Sequence, residues 1–577
     1  MDLDTSVAKT LFVGRIADEN LFPYPTIEPD EAELLNMVLN SLDDFLRDHS
    51  GDFAQWDRDS MQPDAFLQSL RELGLFGLII PPEHQGIGLS NAGYARALEQ
   101  VSFHDTSVAL TVGAHSSIGM KGLLLFGTEA QKDRYLPKLA SGEMIAAFCL
   151  TEAGAGSDAA SIKTHAKKNT GGSWTLNGEK IWITNGGIAD FFTVFARTGE
   201  DELSAFLVER TFPGVTTGSK EDKMGIRASS TTTVNFADVE VPAENLLGEQ
   251  GQGFKLAMAI LNNGRTGLGG GSVGGMKACI ALATEQATSR QQFGQSIAEY
   301  GLIKKKLGQM TIDCFAAESV VWMVAHYIDS GGTDYSVEAA ISKVFASEAM
   351  QRSAYEALQI AGGIGFMKDF PYERIVRDAR ILTIFEGTNE ILRLYIALSG
   401  IREAGGLLEE LAESLEDAFS APIKGVGVLT EYAGRRIAQI TPLGRDKIVG
   451  SVPDVLKDEA LLYDRYAAEL GRVADVLLRR HGRAIIDKQL AMARLADIAI
   501  DLFVGLCVLS RASSLIHNND TRGKQAINIA KMFAQQAKRR MNQHLRRVMR
   551  NEDEELKSLA AVVTEAGNYP WEVWRNA

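Results

Sequence analysis

The residue best suited to acid–base chemistry in this sequence is Glu386, which stands between an apolar run and a glycine. The run covers residues 381–385, and Gly387 interrupts regular structure directly after the carboxylate. A carboxylate among apolar neighbours loses hydration, so its pKa rises unless it is paired. Such a Glu can remove a proton near neutral pH. The alternative is a structural role in the first turn of the next helix, with Thr388 or Asn389 as its cap.

Two further segments could bind a planar group that carries phosphates. Residues 151–158 contain Thr151, Ser157 and two glycines, so hydroxyls and backbone amides can approach anionic or carbonyl oxygens. Farther on, Trp182 offers an aromatic face and Thr184 a hydroxyl at the end of a predicted strand. Each segment alone is weak evidence, because a glycine-rich turn is usually only a turn and a strand Trp usually belongs to the core.

Three other segments carry arginine or closely spaced glycines. The guanidinium of Arg290 could fork onto two pyrophosphate oxygens, although a solvated arginine at a helix end is the default. Gly362 and Gly363 would allow close backbone approach. A G-x-G-x-x-G pattern spans residues 269–274, but no strand precedes it. A dinucleotide fingerprint requires a βαβ setting, so we interpret these glycines as sites of close helix packing.

Composition restricts the class of protein. The chain has 577 residues, 45% of them apolar, and a net charge of −15. This length predicts several domains, and the acidic balance argues against nucleic acid as the main partner. The four cysteines lie far apart without metal-ligand spacing, which indicates a reducing compartment, no disulfide framework and no metal site. Cys149 and Cys507 lie in apolar runs and are expected in the core.

The N-terminal residues lack the basic and apolar segments of a signal or transit peptide. The most apolar helix candidate, residues 495–509, is interrupted by Asp497 and Asp501, and we expect no stretch to reach the roughly 20 apolar residues of a membrane span. The sequence therefore predicts a soluble or peripheral protein, located in a bacterial-type cytoplasm or at the inner face of its membrane.

The spacing of apolar residues changes from helical to strand-like and back along the chain. We therefore predict a mainly α fold with a β-barrel-like middle domain and an extra helical domain at the C-terminal end. The expected segments are an N-terminal arm (1–29), an N-terminal helical domain (30–145), a middle β domain (146–255), a helical bundle with Glu386 (256–400), a linker (401–460) and a C-terminal helical domain (461–577).

Within the middle region, residues 174–184 are interpreted as a hairpin with Asn177 and Gly178 as its turn. Residues 191–195, 203–208 and 231–236 are predicted as further strands. In the C-terminal region, residues 484–515 have the pattern of an amphipathic helix.

In order and spacing, the motifs between residues 30 and 400 resemble those of the acyl-CoA dehydrogenase family. Residues 261–265, 365–368 and 385–394 are typical of its very-long-chain branch, and the extra C-terminal module fits the same branch. The resemblance implies FAD, an acyl-CoA substrate and oxidation to the trans-2-enoyl-CoA in fatty-acid β-oxidation. It also implies an electron-transfer flavoprotein as the acceptor.

Carried onto this chain, the family mechanism makes Glu386 the base that removes the α-proton while hydride passes to flavin N5. The thioester carbonyl is expected between the Glu386 backbone N–H and a flavin ribityl hydroxyl, as in an oxyanion hole. Some relatives place the base one residue before Arg265, but here that residue is Gly264, which cannot act as a base.

The resemblance also implies the residues that bind FAD. In one subunit they are Thr151, Ser157, Trp182, Thr184, Thr388 and Asn389, and the second subunit is expected to supply Arg290, Gln292, Phe293, Gln359 and Gly363. Such sharing makes a homodimer necessary for a complete site. The sequence has Ala153 where the family usually has Pro. Because Pro only stiffens that turn, we expect FAD binding to survive the difference.

On the substrate side, the implied residues are Asn262, Arg265 and Gly387, although Arg265 could instead be an ion-pair partner at a helix end. Ala109 and Gly113 are expected at the floor of the acyl cavity. Small residues there deepen an apolar pocket, and each extra buried methylene contributes ~0.8 kcal/mol. The sequence therefore predicts a long or very long acyl chain.

Two alternatives remain open at this point. The protein could keep the fold but work as an assembly or scaffold protein for a respiratory complex, or it could be an acyl-CoA oxidase that passes electrons to oxygen. Cationic and apolar residues mix in the linker at 401–460, which suits either contact with an anionic membrane surface or a solvated linker.

Overall fold

The computed structural model describes residues 4–420 and 448–572, with the backbone alone for residues 405–420 and 483. Helices form in the N-terminal region where apolar residues recur every three or four positions. Polar caps set several of their starts: the Asp105 side chain accepts from the Val108 N–H at 3.0 Å, and Thr128 and Gln131 form a capping box. The helices are α1 (Val7–Thr10), α2 (Pro29–Asp48), α3 (Phe53–Asp59), α4 (Asp64–Glu72), α5 (Asn91–His104), α6 (Thr106–Gly113), α7 (Lys121–Phe126) and α8 (Glu129–Ala140).

The expectation that no stretch would be long and apolar enough to span a membrane was wrong. The stretch Thr106–Phe126, in which a π-helical turn joins α6 to α7, is long and apolar enough to cross a membrane. Inside the fold, however, 78% of the most apolar part of this stretch is buried. It is therefore placed as a core helix of this fold.

The middle region is one open sheet, not the expected barrel-like one. Its strands are β1 (Ala146–Cys149), β2 (His165–Lys168), β3 (Trp174–Thr184), β4 (Phe191–Arg197), β5 (Leu203–Glu209), β6 (Val215–Thr217), β7 (Thr231–Val241) and β8 (Leu246–Leu247). They lie in the order β6-β7-β3-β2-β4-β5-β8, and β1 runs parallel to β4. Of the short end strands, β6 pairs only with β7 and β8 only with β5. Within the described residues the sheet therefore does not close.

The predicted hairpin at residues 174–184 was also wrong, because β3 continues through Asn177 and Gly178. The pairing register between β3 and β7 shifts between Leu176 and Gly178, as in a β-bulge. A Cβ on Gly178 would lie 2.7 Å from the Thr164 Cα, so this position requires glycine for close backbone approach. The other predicted strands are confirmed as β4, β5 and β7.

A bundle of long helices follows the sheet. It comprises α9 (Gly253–Ser289), α10 (Gly301–Asp329), α11 (Ser336–Ala361), α12 (Tyr372–Arg380) and α13 (Asn389–Ser420), with a small ribbon of β9 (Gln291–Gln292) and β10 (Gln295–Ser296). The G-x-G-x-x-G pattern lies inside α9, which confirms its interpretation as helix packing. A Cβ on Gly270 or Gly274 would lie only 2.2 or 2.0 Å from a backbone oxygen of α5, so these glycines let α9 and α5 touch.

Within residues 448–572, four α-helices follow: α14 (Lys457–His481), α15 (Gln489–His517), α16 (Gly523–Met549) and α17 (Asp553–Ala566). The predicted amphipathic helix at 484–515 corresponds to α15, but residues 498–510 of it are buried on every face. The expected linker also begins later than predicted, because α13 runs to Ser420. Residues 421–447, which carry most of the expected membrane-contact segment, lie outside the described residues.

The N-terminal arm is part of the core. Leu11 and Phe12 are fully buried, and Gly400 of α13 leaves room for the Phe12 ring. Gly471 of α14 similarly faces the backbone of Gly14. The arm therefore packs between the helical bundle and the C-terminal helices. All four cysteines are buried and unpaired, which confirms the core placement of Cys149 and Cys507.

Candidate active site

A cavity of about 350 Å³ lies where α5, α6, the sheet, α9 and the start of α13 meet. Its wall is mostly apolar, as is usual for a site that takes a small molecule. It brings together residues that are far apart in the sequence and were predicted to share a site. These are Ala109, Gly113, Thr151, Ser157, Trp182, Thr184, Asn262, Arg265, Glu386 and Gly387.

Glu386 lies in the turn before α13, with its carboxyl group at the cavity. Its backbone has a φ of 54° and that of Gly387 a φ of 93°. A non-glycine residue in the left-handed region costs energy and persists only where the surroundings impose it. Glu386 Oε2 is buried and has no hydrogen-bond partner among the described residues. The cap of α13 is Thr388, as the structural alternative expected, because its Oγ1 accepts from the Ile391 N–H at 3.3 Å. Glu386 itself precedes this cap and lies outside the first turn of α13, which begins at Asn389.

Burial is the main influence on the Glu386 carboxyl group. It raises the pKa of Glu386 above its ordinary value, since the ionised form loses its hydration. The positive charges of Arg265 and Lys343 act in the opposite direction and favour the carboxylate. A carboxylate with a raised pKa beside an apolar cavity has the properties of a general base.

Arg265 lies in the middle of α9, and not at a helix end as the alternative interpretation supposed. Its Nη1 donates to Asn262 Oδ1, and its Nη2 lies 3.5 Å from the backbone oxygen of Glu386. The guanidinium is buried, and Nε has no partner among the described residues. One turn of helix thus presents Asn262 and Arg265 to the same side of the cavity.

The neighbouring Gly264 confirms that no base could stand there. A Cβ at this position would already lie 2.9 Å from Ile118 Cγ2 and 3.1 Å from the Ser117 backbone oxygen. α9 therefore lies close against the π-helical turn after α6 at residue 264, where a side chain would have to displace its neighbours.

The loop at residues 151–158 is held by Glu152. Its carboxylate accepts hydrogen bonds from the backbone N–H groups of Lys163 and Thr164, at 2.6 and 2.9 Å, and from Lys180 Nζ at 2.8 Å. These contacts anchor the loop from behind, so Thr151 and Ser157 line the cavity. The same contacts restrain the loop, in which Ala153 takes the place of the proline that is usual in the family.

Trp182 forms an exposed wall beside this loop. Its backbone has a φ of 56°, and the side chain remains 64% exposed next to Thr184. An indole with this much free surface at a cavity is suited to stacking with a planar ring.

Several predicted residues lie outside the cavity. Arg290 directly precedes the β9–β10 ribbon, Gln292 lies in β9 and Phe293 in the turn that follows it. Gln359 lies in the last turn of α11, and Gly363 comes two residues after that helix ends. Their roles, and those of Thr388 and Asn389 towards the cofactor, stay predictions.

Sequence reasoning missed Lys343, which is fully buried in α11. Its Nζ donates to the backbone oxygen of Gly387 and to Asn389 Oδ1, both at 2.8 Å. The available signal was a lysine at a position where helical spacing from Ala339, Ala340 and Ala346 expects a core residue. A buried ammonium is costly without such partners.

Family models match as "Acyl-CoA dehydrogenase, N-terminal domain" at residues 32–143, "middle domain" at 147–239 and "C-terminal domain" at 251–400. A fourth model, "ACAD9/ACADV, C-terminal domain", matches residues 454–569.

Among curated proteins, the chain is 46% identical over 520 residues to the very long-chain specific acyl-CoA dehydrogenase of Macaca fascicularis, covering 88% of this chain and 79% of that one. Among solved structures, it matches an acyl-CoA dehydrogenase from Bacillus anthracis described as complexed with FAD, with a TM-score of 0.81, 32% identity and coverage of 99% and 97%. It also matches a chain described as the electron transferring flavoprotein of Acidaminococcus fermentans, with a TM-score of 0.60, 35% identity and coverage of 64% and 98%.

The first three family models cover the two helical regions and the sheet between them, and the fourth covers the additional helices at the C-terminal end. They confirm the family that the motifs predicted. The chain belongs to the acyl-CoA dehydrogenase family.

Proposed function

We propose that this protein oxidises long-chain and very-long-chain acyl-CoA thioesters to trans-2-enoyl-CoA with FAD as cofactor. The observation that carries the proposal is the unpartnered carboxylate oxygen of Glu386 in a buried, apolar cavity. The names of the most similar curated relatives support the substrate class.

In the proposed reaction, Glu386 accepts the proton from the carbon next to the thioester carbonyl. Its raised pKa makes it a stronger base than an exposed Glu, and the apolar wall keeps water away from the carbanion-like transition state. Buried Arg265 lies beside the Glu386 backbone and adds positive charge where negative charge develops. FAD, when bound, supplies the acceptor for the hydrogen and electron pair that leave the next carbon.

The residues at the sheet side of the cavity fit a bound flavin. Trp182 has a free aromatic face, and a Cβ added at Gly154 or Gly156 would meet no atom within 4 Å, so the loop faces open space. Thr151, Ser157, Trp182 and Thr184 would hold the group. This is the arrangement expected for a large, planar cofactor that carries phosphates.

The decisive experiment is anaerobic mixing of the purified protein with palmitoyl-CoA while the flavin absorbance is followed. The wild type should bleach, and Glu386→Gln should bind FAD but stay oxidised. Gln keeps the size of Glu without its basicity, so retained flavin with no bleaching isolates the proton transfer.

A matched control is Glu348→Gln, which alters a carboxylate that accepts from Asn389 and Arg393 but does not line the cavity. It should bleach with palmitoyl-CoA, even if more slowly. Bleaching of Glu386→Gln at the wild-type rate would contradict the assignment of the base. A preparation that folds but carries no flavin would instead favour the scaffold alternative.

Chain length is proposed to depend on Ala109 and Gly113, which both line the cavity. Ala109→Leu should remove space for the acyl tail. Exclusion of two methylenes at ~0.8 kcal/mol each would lower kcat/KM for palmitoyl-CoA relative to octanoyl-CoA by roughly 10-fold. An unchanged ratio between the two substrates would show that the tail does not reach this wall.

We also propose that the active form is a homodimer. Phe293, Leu302 and Phe366 are exposed by 93%, 76% and 74%, and they lie near the residues expected to complete a neighbouring flavin site. Large apolar residues with this exposure mark interaction surfaces. Phe293→Asp should produce monomers that have lost FAD. Analytical ultracentrifugation with flavin detection would measure both changes. Met37→Asp, at a residue that is 58% exposed on α2, should remain a flavin-bearing dimer.

An electron-transfer flavoprotein is the proposed acceptor, and the match to the Acidaminococcus fermentans structure supports this choice. Turnover with palmitoyl-CoA should require such a flavoprotein and release little peroxide in air. Rapid peroxide release without another acceptor would favour the oxidase alternative.

A further inference from the structure

Lys343 makes two hydrogen bonds to residues that directly follow Glu386 along the chain. Its Nζ donates to the backbone oxygen of Gly387 and to Asn389 Oδ1, both at 2.8 Å. Glu386 precedes these two acceptors in the same turn. A single ammonium from α11 therefore ties down the turn that carries the carboxylate.

This turn needs an anchor because its backbone is strained. Glu386 and Gly387 have consecutive positive φ values of 54° and 93°. Residues held in the left-handed region cost free energy of order 1–3 kcal/mol, and the surrounding contacts must impose them. The Gly387 carbonyl lies between the strained residue and α13, where one strong, charge-assisted hydrogen bond restricts both.

The second acceptor, Asn389, is itself fixed. Its Nδ2 donates to Ser347 Oγ and to Glu348 Oε1, both at 3.1 Å. Because the amide nitrogen is occupied, the amide oxygen faces Lys343. The ammonium extends from α11 to the Asn389 amide, whose orientation is fixed by Ser347 and Glu348.

Charges around Lys343 come from several elements. Glu386 lies in the turn, Arg265 on α9, Glu348 on α11 and Glu390 on α13, and all four influence the lysine. Arg265 and Lys343 are the two cations that act on Glu386. Lys343 donates to Gly387 and Asn389, and so the carboxylate oxygens of Glu386 stay available to a substrate.

We propose that Lys343 is a positioning residue for Glu386, whose ammonium holds the 386–389 turn in place and whose charge favours the carboxylate form of the base. The inference rests on the proposed role of Glu386. It assigns no proton transfer to Lys343, since the lysine contacts the turn and not the reacting atoms.

The test compares Lys343→Met, Lys343→Gln and Lys343→Arg in the rate of flavin bleaching by palmitoyl-CoA between pH 5 and 9. Met removes both the hydrogen bonds and the charge. We expect a 10- to 100-fold lower bleaching rate with little change in KM, because misplacement of a reacting group acts on the chemical step. The acid limb of the profile should move up by about one pH unit, because Glu386 loses a nearby cation.

The other two variants separate position from charge. Gln keeps a donor without charge, so its acid limb should move as in the Met variant while the rate falls less. Arg keeps the charge, so its acid limb should stay at the wild-type pH. If Lys343→Met does not fold, the Gln and Arg profiles still decide the question.

Lys121→Met is the matched control, because Lys121 is also buried but donates to Asn91 Oδ1, away from the turn. Its acid limb should match that of the wild type. The proposal is overturned if Lys343→Gln has the wild-type limb, or if Lys121→Met shifts equally. Failure of the proposed function has a different signature, namely bleaching by Glu386→Gln at the wild-type rate.

Discussion

Arg393 of α13 donates from Nε to Asp497 of α15 at 2.7 Å, which joins the helix that follows the Glu386 turn to the C-terminal helices. The same guanidinium donates from Nη1 and Nη2 to the two carboxylate oxygens of Glu348, at 2.7 and 3.1 Å. Glu348 in turn accepts from Asn389, the partner of Lys343. A continuous chain of charged and amide groups thus connects the C-terminal helices to the turn that carries Glu386.

The link between Arg393 and Asp497 should be measurable in stability. Asp497→Asn removes the charge from a pair that is about three-quarters buried, with side-chain exposures of 20% and 25%. A hydrogen bond between charged groups at such a site contributes about 1–2 kcal/mol, so the free energy of unfolding should fall by that amount. Chemical denaturation of the holoenzyme would measure the change.

An exposed ion pair provides the control for this measurement. Arg472 and Glu469 on α14 are exposed by 57% and 37%, and solvated pairs contribute little. Arg472→Gln should leave the denaturation midpoint unchanged. Equal losses in the two variants would show that the Arg393–Asp497 contact is no stronger than a surface pair.

The pH dependence of flavin bleaching should be bell-shaped in the wild type. Glu386 acts as a carboxylate, and burial raises its pKa, so activity should fall with acidification at a pH above 4.5. Burial lowers the pKa of Lys343 to about 8, so the charge that supports the turn should be lost above that pH. Stopped-flow bleaching rates would give both limbs, and Lys343→Arg should lack the alkaline one. An alkaline limb that persists in that variant would belong to another group.

Glu338 predicts an unusual effect of pH on stability. It is fully buried, accepts from Ser6 Oγ at 2.7 Å and from the Ala8 N–H at 2.9 Å, and burial raises its pKa to about 7. The folded protein therefore binds this proton more tightly than the unfolded chain, whose pKa is the ordinary 4.5. Its contribution to stability is present below pH 4.5 and is lost as the pH rises to about 7.

The measurement is the difference in the free energy of unfolding between Glu338→Gln and the wild type as a function of pH. Gln keeps an oxygen for Ser6 and Ala8 but does not ionise. The variant should therefore gain on the wild type by up to roughly 3 kcal/mol between pH 5 and 8, where Glu338 must ionise in a buried site. A difference that does not vary with pH would contradict the raised pKa.

Contact between α9 and α5 should make Gly274 intolerant of even one methyl group. A Cβ there would lie 2.0 Å from the backbone oxygen of Glu99, which cannot move without shifting α5. Gly274→Ala should lower the free energy of unfolding by about 1–3 kcal/mol, although Ala favours helix by about 1 kcal/mol. Gly271→Ala is the control, since its Cβ would have its nearest neighbour at 3.8 Å. It should be neutral or stabilising by thermal denaturation.

Much of the site could be predicted because its signals are local. A carboxylate after an apolar run, a glycine-rich loop and an aromatic residue at a strand end are each visible in a few residues. The structure places Glu386, Thr151, Ser157, Trp182 and Thr184 around one cavity. The strands β4, β5 and β7 were found for the same reason, because a short run rich in aromatic and β-branched residues marks a strand within one segment.

The errors arose where distant segments decide the outcome. Asn177 and Gly178 have the composition of a turn, yet pairing with β7 keeps them inside β3. Nothing within residues 146–255 shows that β6 and β8 stay apart and leave the sheet open.

The sequence by itself determined the family, the succession of helical and strand regions, and Glu386 as the proposed base, because these depend on residue type and local spacing. Only the tertiary structure decided how the turn that carries Glu386 is supported. Lys343 precedes Gly387 by 44 residues, and Asp497 follows Arg393 by 104. Such contacts carry no signature in spacing, since they exist only after buried charges have found their partners in the packed core.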